Sequence, residues 1–256
     1  DVVARARRLA HALVGAGSKY FYGADWEEPY RAERIRQLLD RDDAETIDSS
    51  AAMQGDIVSL AARQLLPYLL RIQSDDRRVN EALDLLRGWD GAMDKSRPEP
   101  LIFEAWLWRM HKILLVDQAN GVSLKERGPF AATTIAAILS NPDNGWCKPD
   151  ACAAVAEKAL KDALGWIANR DGADMTRWRW GNEHEALLRN KVFAHAPGLS
   201  ELSDLSLPSS GSFYTLDRGG SFDPPAHMPF AKQHGGGYRA IYDLADPARS
   251  HFMIAT

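Results

Sequence analysis

The chain has 256 residues, 45% of them hydrophobic and 26% charged, which is enough material for one large or two ordinary globular domains. Its net charge of −4, without a clustered basic face, argues against nucleic acid as a partner. No apolar run approaches the roughly 18 residues that a membrane-spanning helix needs, so no membrane partner is expected. Neither a signal peptide nor an initiator Met is seen, so any leader would lie upstream.

The first predicted element is a helix over residues 30–40. Pro29 suits the first turn of such a helix because its fixed φ matches the helical backbone. Ile35, Leu38 and Leu39 recur at helical spacing, and we expect them to form the buried face of this helix.

Helical periodicity continues to about residue 175. Asp48 or Ser49 is predicted to cap the next helix, and Pro67 is predicted to kink or divide its segment. Trp106 and Trp108 are expected in the core rather than on a ligand-binding surface, because they lie among apolar residues at helical spacing. The residues that define three further helices are Val79, Leu83 and Leu86; Phe103, Leu107, Met110 and Leu114; and Ala156, Leu160, Ala163 and Ile167.

The composition changes near Met175, after which Gly, Ser, Pro and aromatic residues become frequent. A mainly helical region, 1–175, is therefore expected to precede a strand-rich region, 176–256. This order predicts an α+β fold rather than an alternating α/β fold. The segments with strand character are 212–216, 238–242 and 251–254.

The residues taken alone contain no self-contained catalytic motif. No Gly-x-Ser-x-Gly nucleophile elbow is present, and the order Gly17-Ser18-Lys19 reverses that of a phosphate-binding loop. The histidines form no His-x-x-x-His pair and the acidic residues form no EF-hand loop, so no metal and no other cofactor is predicted. On these grounds the chain is an α+β segment without assigned chemistry.

The two cysteines, Cys147 and Cys152, are separated by four residues. Common zinc and redox pairs have two residues between their cysteines, and a four-cysteine zinc site is excluded because there is no second pair. We favour a local disulfide, with two buried free thiols as the alternative. A bridge across so short a loop would stabilise the fold by about 2 kcal/mol and would indicate an oxidising compartment such as the periplasm.

An ordered series of short segments carries a family resemblance. The segments are Tyr30-Arg31 through Leu39, Met53-Gln54-Gly55-Asp56, Leu66-Pro67, Trp89-Asp90-Gly91, Pro98-Glu99-Pro100-Leu101, Trp178-Arg179-Trp180-Gly181-Asn182-Glu183-His184, Phe193-Ala194-His195-Ala196-Pro197 and Gly237-Tyr238-Arg239-Ala240-Ile241-Tyr242-Asp243-Leu244. In this order they resemble the large subunit of the penicillin acylase (penicillin amidase) family, within the N-terminal nucleophile hydrolases. The resemblance covers about residues 20 to 256, the C-terminal part of that subunit.

This resemblance implies part of an αββα sandwich and an amidohydrolase chemistry. In the family, a precursor cleaves itself and exposes a Ser whose own α-amino group is the base, which is suitable because that amine titrates near neutral pH. Backbone N–H groups and an Asn side chain stabilise the tetrahedral intermediate. The implied substrates are small-molecule linear amides, either the side chain of a β-lactam or an N-acyl homoserine lactone.

Several family residues have no counterpart here. The chain begins at Asp1 and not at a nucleophile, the position expected for the oxyanion Asn falls near Ala10, and residues 1–79 contain no Asn. The calcium-binding Asp of some members also has no clear match. We therefore expect a fragment that is inactive alone and needs an upstream Ser-bearing segment and a small subunit. A non-catalytic interaction module derived from the same scaffold is the alternative.

Two arginines are assigned by this resemblance. Arg31 matches an Arg at the start of a family helix and would support the active site with its charge; the alternative is a surface Arg that pairs with Glu27 or Glu28. Arg239 is expected to tether a strand to neighbouring acids. The implied location is periplasmic or secreted, and a truncated sheet is expected to self-associate through its exposed edges.

Overall fold

The computed structural model describes residues 27–40, 45–118, 130–190, 192–193, 199 and 203–254, and these residues form an α+β fold, as predicted. No helix of the described segments is both long enough and apolar enough to cross a membrane. The helices are α1 Tyr30–Leu39, α2 Ile47–Gln54, α3 Leu60–Leu69, α4 Arg77–Arg87, α5 Glu99–His111, α6 Ala132–Ser140, α7 Cys152–Asp171 and α8 Trp180–Glu183. The strands are β1 Glu185–Leu188, β2 Leu205–Pro208, β3 Gly219–Gly220, β4 His234–Gly235, β5 Tyr238–Ile241 and β6 His251–Ile254.

Helix α5 lies at the centre of the core. It is apolar around most of its circumference, and such a helix is stable only when other elements cover it on all sides. It packs against α4, α6, α7 and α8, and a π-helical turn, Lys112–Val116, continues it. Trp106 is fully buried and donates its indole N–H to the carbonyl of Ala156 in α7. The predicted core positions of Trp106 and Trp108 are confirmed.

The predicted buried face of α1 is only partly right. Leu38 is buried, but Ile35 is 43% exposed and Leu39 is 53% exposed. Helix α1 instead contacts the core through Tyr30, whose hydroxyl donates to Gln64 and whose ring meets Tyr214 edge to face. The contacts of Tyr30 therefore attach helix α1 to the core at its first turn.

The predicted cap of the second helix is wrong, and the predicted division at Pro67 does not occur. Thr46, not Asp48 or Ser49, caps α2: its hydroxyl accepts from the backbone of Ser49, whose side chain accepts from the backbone of Thr46 in return. Pro67 lies inside α3 without dividing it, and the helix ends two residues later. A proline so close to the end disturbs only the last turn, where few helical hydrogen bonds remain to be lost.

Within the residues that the structure describes, the strands form three separate antiparallel pairs, β1–β2, β3–β4 and β5–β6. The predicted strands at residues 238–242 and 251–254 pair with each other in the register Tyr238 with Ile254. The predicted tether from Arg239 is present, because its guanidinium donates to Asp217 at 2.7 Å and to the carbonyl of Gln54 at 2.9 Å. These contacts attach the β5–β6 hairpin to the rest of the chain.

The structure joins Cys147 and Cys152, at the start of α7, through a disulfide. We expect reduction to lower the free energy of unfolding by about 2 kcal/mol, because the bridge restricts the unfolded chain only over a short loop. Urea unfolding with and without reductant measures this difference. Cys147→Ser with Cys152→Ser is the control, since reductant should leave its midpoint unchanged. Two reactive thiols in protein denatured without reductant would contradict the prediction.

Candidate active-site region

The candidate site is organised by a tight loop, residues 211–219, between the helical core and α1. The sequence predicts a strand at 212–216, but the structure shows a closed turn there. Gly211 makes this turn possible: its φ is +82°, and a Cβ at this position would lie 2.1 Å from the carbonyl oxygen of Asp217. Its carbonyl also accepts the indole N–H of Trp180 at 2.8 Å.

Hydrogen bonds within this 211–219 loop converge on Ser212 and Thr215, which are both buried. The Ser212 N–H donates to the Thr215 hydroxyl at 2.8 Å, and the Ser212 hydroxyl accepts from the N–H of Tyr214 at 3.2 Å. The Ser212 carbonyl accepts from the N–H of Gly219 at 3.1 Å. The loop is therefore a defined structure whose shape depends on the position of Ser212.

Arg31 lies on the outer side of the 211–219 loop. Its Nε donates to the carbonyl of Thr215 at 3.2 Å, so the loop backbone fixes the direction of the guanidinium. Partial burial and the nearby guanidinium of Arg218 lower the pKa of Arg31, and Glu27 partly offsets this. Glu28, one of the surface partners considered for Arg31, instead accepts hydrogen bonds from the backbone and hydroxyl of Thr133.

Arg218 adds a second cation beside Arg31. Its guanidinium lies 4.1 Å from the ring centre of Phe213 and 3.7 Å from the carboxylate of Glu27. Its Nε has no hydrogen-bond partner within the described part of the chain. The outer side of the loop thus carries two partly buried guanidinium groups, and the Thr215 carbonyl orients that of Arg31.

A small cavity of about 30 Å³ lies on the inner side of the same loop. A cavity of this size can hold a water molecule. Its polar groups come from Glu104 of α5, His184 after α8, and Ser212 and Ser221. Aromatic rings line the rest of it, with Trp180 stacked on His184 at 4.5 Å between ring centres. The lining residues are Glu104, Phe130, Trp180, His184, Ser212, Phe213, Gly219, Gly220, Ser221, Pro229 and Phe230.

Glu104 is the most perturbed acid of this cavity. It is 4% exposed, and burial raises its pKa to about 8, while a hydrogen bond from Ser212 acts in the opposite direction. Its Oε1 has no hydrogen-bond partner among the residues that the structure describes. At neutral pH the carboxyl is therefore mainly protonated and can donate a hydrogen bond as well as accept one.

His184 also lines the cavity, and it is buried and neutral. Its Nδ1 donates to the carbonyl of Phe230 at 2.7 Å, which leaves Nε2 as the acceptor. Burial lowers the pKa of His184 to about 4; the bond to Phe230 opposes this, and Lys232 adds to it. The cavity therefore combines a neutral acid and a neutral base in an aromatic setting.

Family resemblance predicts a functional role for Arg31, whereas neither Glu104 nor His184 is predicted from the sequence as a functional residue. One local signal for Glu104 exists: it is the acid within the otherwise apolar run Leu101–Leu107. An acid in such a run is either a surface position or a buried group with a defined partner. Within the described residues, no group of three or more His, Cys, Asp or Glu side chains could hold a metal ion.

The chain is similar to a known protein family and to two curated proteins. The sequence profile of the family described as Penicillin amidase matches residues 7–256. The penicillin acylase 2 proenzyme of a Pseudomonas species is 27% identical over 245 residues, covering 90% of this chain and 30% of that protein. The acyl-homoserine lactone acylase QuiP of Pseudomonas aeruginosa is 25% identical over 250 residues, covering 81% of this chain and 29% of that protein.

Among solved structures, a thermostable penicillin G acylase from Alcaligenes faecalis superposes with a TM-score of 0.49 at 17% identity. That superposition covers 76% of this chain and 41% of the acylase chain. The chain spans about 30% of the length of the two curated relatives.

Proposed function

The chain belongs to the penicillin amidase family, and on this premise we propose that it is part of an acylase that hydrolyses a linear amide. The match over residues 7–256 carries the proposal. One relative is named for penicillin and the other for acyl-homoserine lactones, so we propose a small-molecule amide of one of these two classes as the substrate.

In the proposed reaction the nucleophile is an N-terminal Ser on a segment outside this chain. Its α-amino group takes the hydroxyl proton as the oxygen attacks the amide carbonyl, and the same proton passes to the leaving amine as the C–N bond breaks. Water then hydrolyses the acyl-enzyme. An α-amine suits this role because its usual pKa of about 7.7–8.0 makes it largely available as a base in mildly alkaline solution.

The contribution of this chain is a fixed positive charge. Arg31 is held by the Thr215 carbonyl at 3.2 Å and lies beside Arg218, so its guanidinium cannot reorient freely. A preorganised cation near a reacting carbonyl stabilises the negative charge that develops on its oxygen without a reorganisation cost. We propose this supporting role for Arg31 in the assembled enzyme.

Co-expression tests the proposal as a whole. The chain alone and the chain co-expressed with its Ser-bearing segment are compared on phenylacetyl and long-chain acyl chromogenic amides. Activity in the co-expressed sample alone supports the proposal, and the preferred acyl group then separates the two substrate classes. Absence of activity in both samples favours the non-catalytic interaction module, and activity of the isolated chain would overturn the assignment of the nucleophile.

Arg31→Ala is expected to lower kcat/KM of the assembled enzyme roughly tenfold or more, because it removes a preorganised charge. Arg36→Ala is the matched control: Arg36 lies on the same helix, is exposed, and pairs with Glu33 rather than with the loop. Unchanged folding of both variants, measured by circular dichroism, makes the comparison valid. Equal activity of the two variants would contradict the role of Arg31.

We also propose a periplasmic or secreted location, supported by the Cys147–Cys152 disulfide, because such bonds persist in oxidising compartments. Alkylation of free thiols in intact cells before lysis tests this. Protected cysteines support the location, whereas alkylated cysteines would contradict it.

A further inference from the structure

We propose that the cavity beside the 211–219 loop binds an ordered water molecule that bridges the side chains of Glu104 and His184. The bridge links helix α5, which carries Glu104, to the end of α8, where His184 stands immediately before β1. The site lies within the chain itself, so the inference does not depend on the proposed amide hydrolysis.

Two residues that line the cavity each have a buried side-chain atom without a hydrogen-bond partner in the described part of the chain. The atoms are Oε1 of Glu104 and Nε2 of His184, and they make no bond to each other. Glu104 is 4% exposed and His184 is 2% exposed, so bulk solvent does not satisfy either atom. Buried polar atoms that no protein group satisfies are typically satisfied by an internal water.

The unpartnered nitrogen of His184 has a fixed position. The imidazole stacks on Trp180 with 9° between the two ring planes, and its Nδ1 donates to the Phe230 carbonyl at 2.7 Å. Trp180 is itself held by the bond from its indole N–H to the Gly211 carbonyl at 2.8 Å. Because Nδ1 carries the hydrogen, Nε2 presents a lone pair and can only accept. The ring cannot turn to another donor without losing both contacts.

The two other polar side chains of the cavity have partners in the structure. The hydroxyl of Ser221 donates to Gln233 and accepts from the N–H of Asp223 at 3.1 Å. The hydroxyl of Ser212 accepts from the N–H of Tyr214 at 3.2 Å. The unmet hydrogen-bonding capacity of the cavity therefore lies with the acid and the imidazole.

Water fits this cavity in size and in chemistry. The volume of about 30 Å³ exceeds the roughly 10–15 Å³ that one water requires. One O–H of the water can donate to His184, and the rest of the molecule can donate to or accept from the neutral carboxyl of Glu104. A cation is disfavoured, because a neutral acid supplies no balancing charge.

A crystal structure of the chain, at a resolution that shows ordered waters, tests the proposal directly. We expect a density peak about 2.5–3.2 Å from both Oε1 of Glu104 and Nε2 of His184. A cavity without such a peak, or a direct bond between the two side chains, would overturn the inference. A metal ion at the peak, identified by its anomalous scattering, would also overturn it.

Three variants of helix α5 test whether Glu104 holds the water. Glu104→Leu removes the polar partner at similar volume and should abolish the peak, whereas Glu104→Gln keeps a hydrogen-bonding group and should retain it. Glu99→Gln is the matched control, because Glu99 is buried on the same helix but pairs with Arg97 and does not line the cavity. Its peak should match that of the wild type. Retention of the peak in Glu104→Leu would contradict the bridge.

Urea unfolding of a double variant measures the bridge in solution. Glu104→Leu and His184→Phe each break it, so the second substitution should cost less once the first is present. We expect the unfolding equilibrium constant of the double variant to rise about fivefold less than the product of the two single effects. Glu99→Gln combined with His184→Phe should give the product. A product-like effect for the Glu104 and His184 pair would overturn the inference, and the wild-type density decides if a variant does not fold.

Discussion

Trp180→Ala is expected to lower the free energy of unfolding by about 3–5 kcal/mol, the range for removing a fully buried large aromatic side chain. Trp180 is 1% exposed and joins the helical core to the 211–219 loop. Its ring stacks on His184 and lies 5.6 Å from Phe230, and its N–H bonds to the Gly211 carbonyl. Alanine would leave a cavity and an unsatisfied carbonyl together.

Urea unfolding of three variants separates these contributions. Trp180→Phe keeps most of the aromatic packing and loses the N–H, so its cost should be nearer to 1–3 kcal/mol. Trp146→Ala is the matched control, because Trp146 is 44% exposed and its removal leaves no buried cavity. A loss for Trp180→Ala no larger than that for Trp146→Ala would mean that the stacked site is not part of the cooperative core.

The helical core can be predicted from sequence because its determinants are local. The spacing of Phe103, Leu107 and Met110 places them on one side of a helix whatever the rest of the chain does, and all three are buried. The cap of α2 is missed by two or three residues, because Thr46, Asp48 and Ser49 are all good capping residues and only the backbone geometry selects among them. The exposure of Ile35 is not predicted, because helical spacing defines an apolar face but not whether another element packs against it.

The candidate site is less predictable, because it depends on contacts between distant parts of the chain. The sequence of 212–216 favours a strand by its aromatic and β-branched residues, but the turn at Gly211 and the bonds around Thr215 override that preference. Arg31 is found through family resemblance, whereas the carbonyl that holds it lies 184 residues away. Glu104 is not predicted as a site residue, because helical spacing indicates that its helix is buried but does not indicate that Ser212 lines the same cavity.

Wild-type stability is expected to fall by about 2 kcal/mol between pH 6.5 and pH 8.5, and Glu104→Gln should remove most of this fall. The folded pKa of Glu104, about 8, lies above its ordinary value of 4.5. Between these values the folded chain keeps a proton that the unfolded chain has released. Stability is therefore greatest below the unfolded pKa and declines as pH rises to the folded pKa, by at most about 1.4 kcal/mol per pH unit.

The pH window is chosen so that His184 does not obscure the result. Its folded pKa, about 4, lies below its ordinary value of 6.5, so its contribution to stability is complete above pH 6.5 and is lost as pH falls toward 4. Urea unfolding at pH 6.5, 7.5 and 8.5 therefore measures the contribution of Glu104 to stability without that of His184. Parallel curves for the wild type and Glu104→Gln across this window would show that the carboxyl is already ionised in the folded chain. The cavity would then have to hold an ionised carboxylate, and Glu104 could not act there as a neutral hydrogen-bond donor.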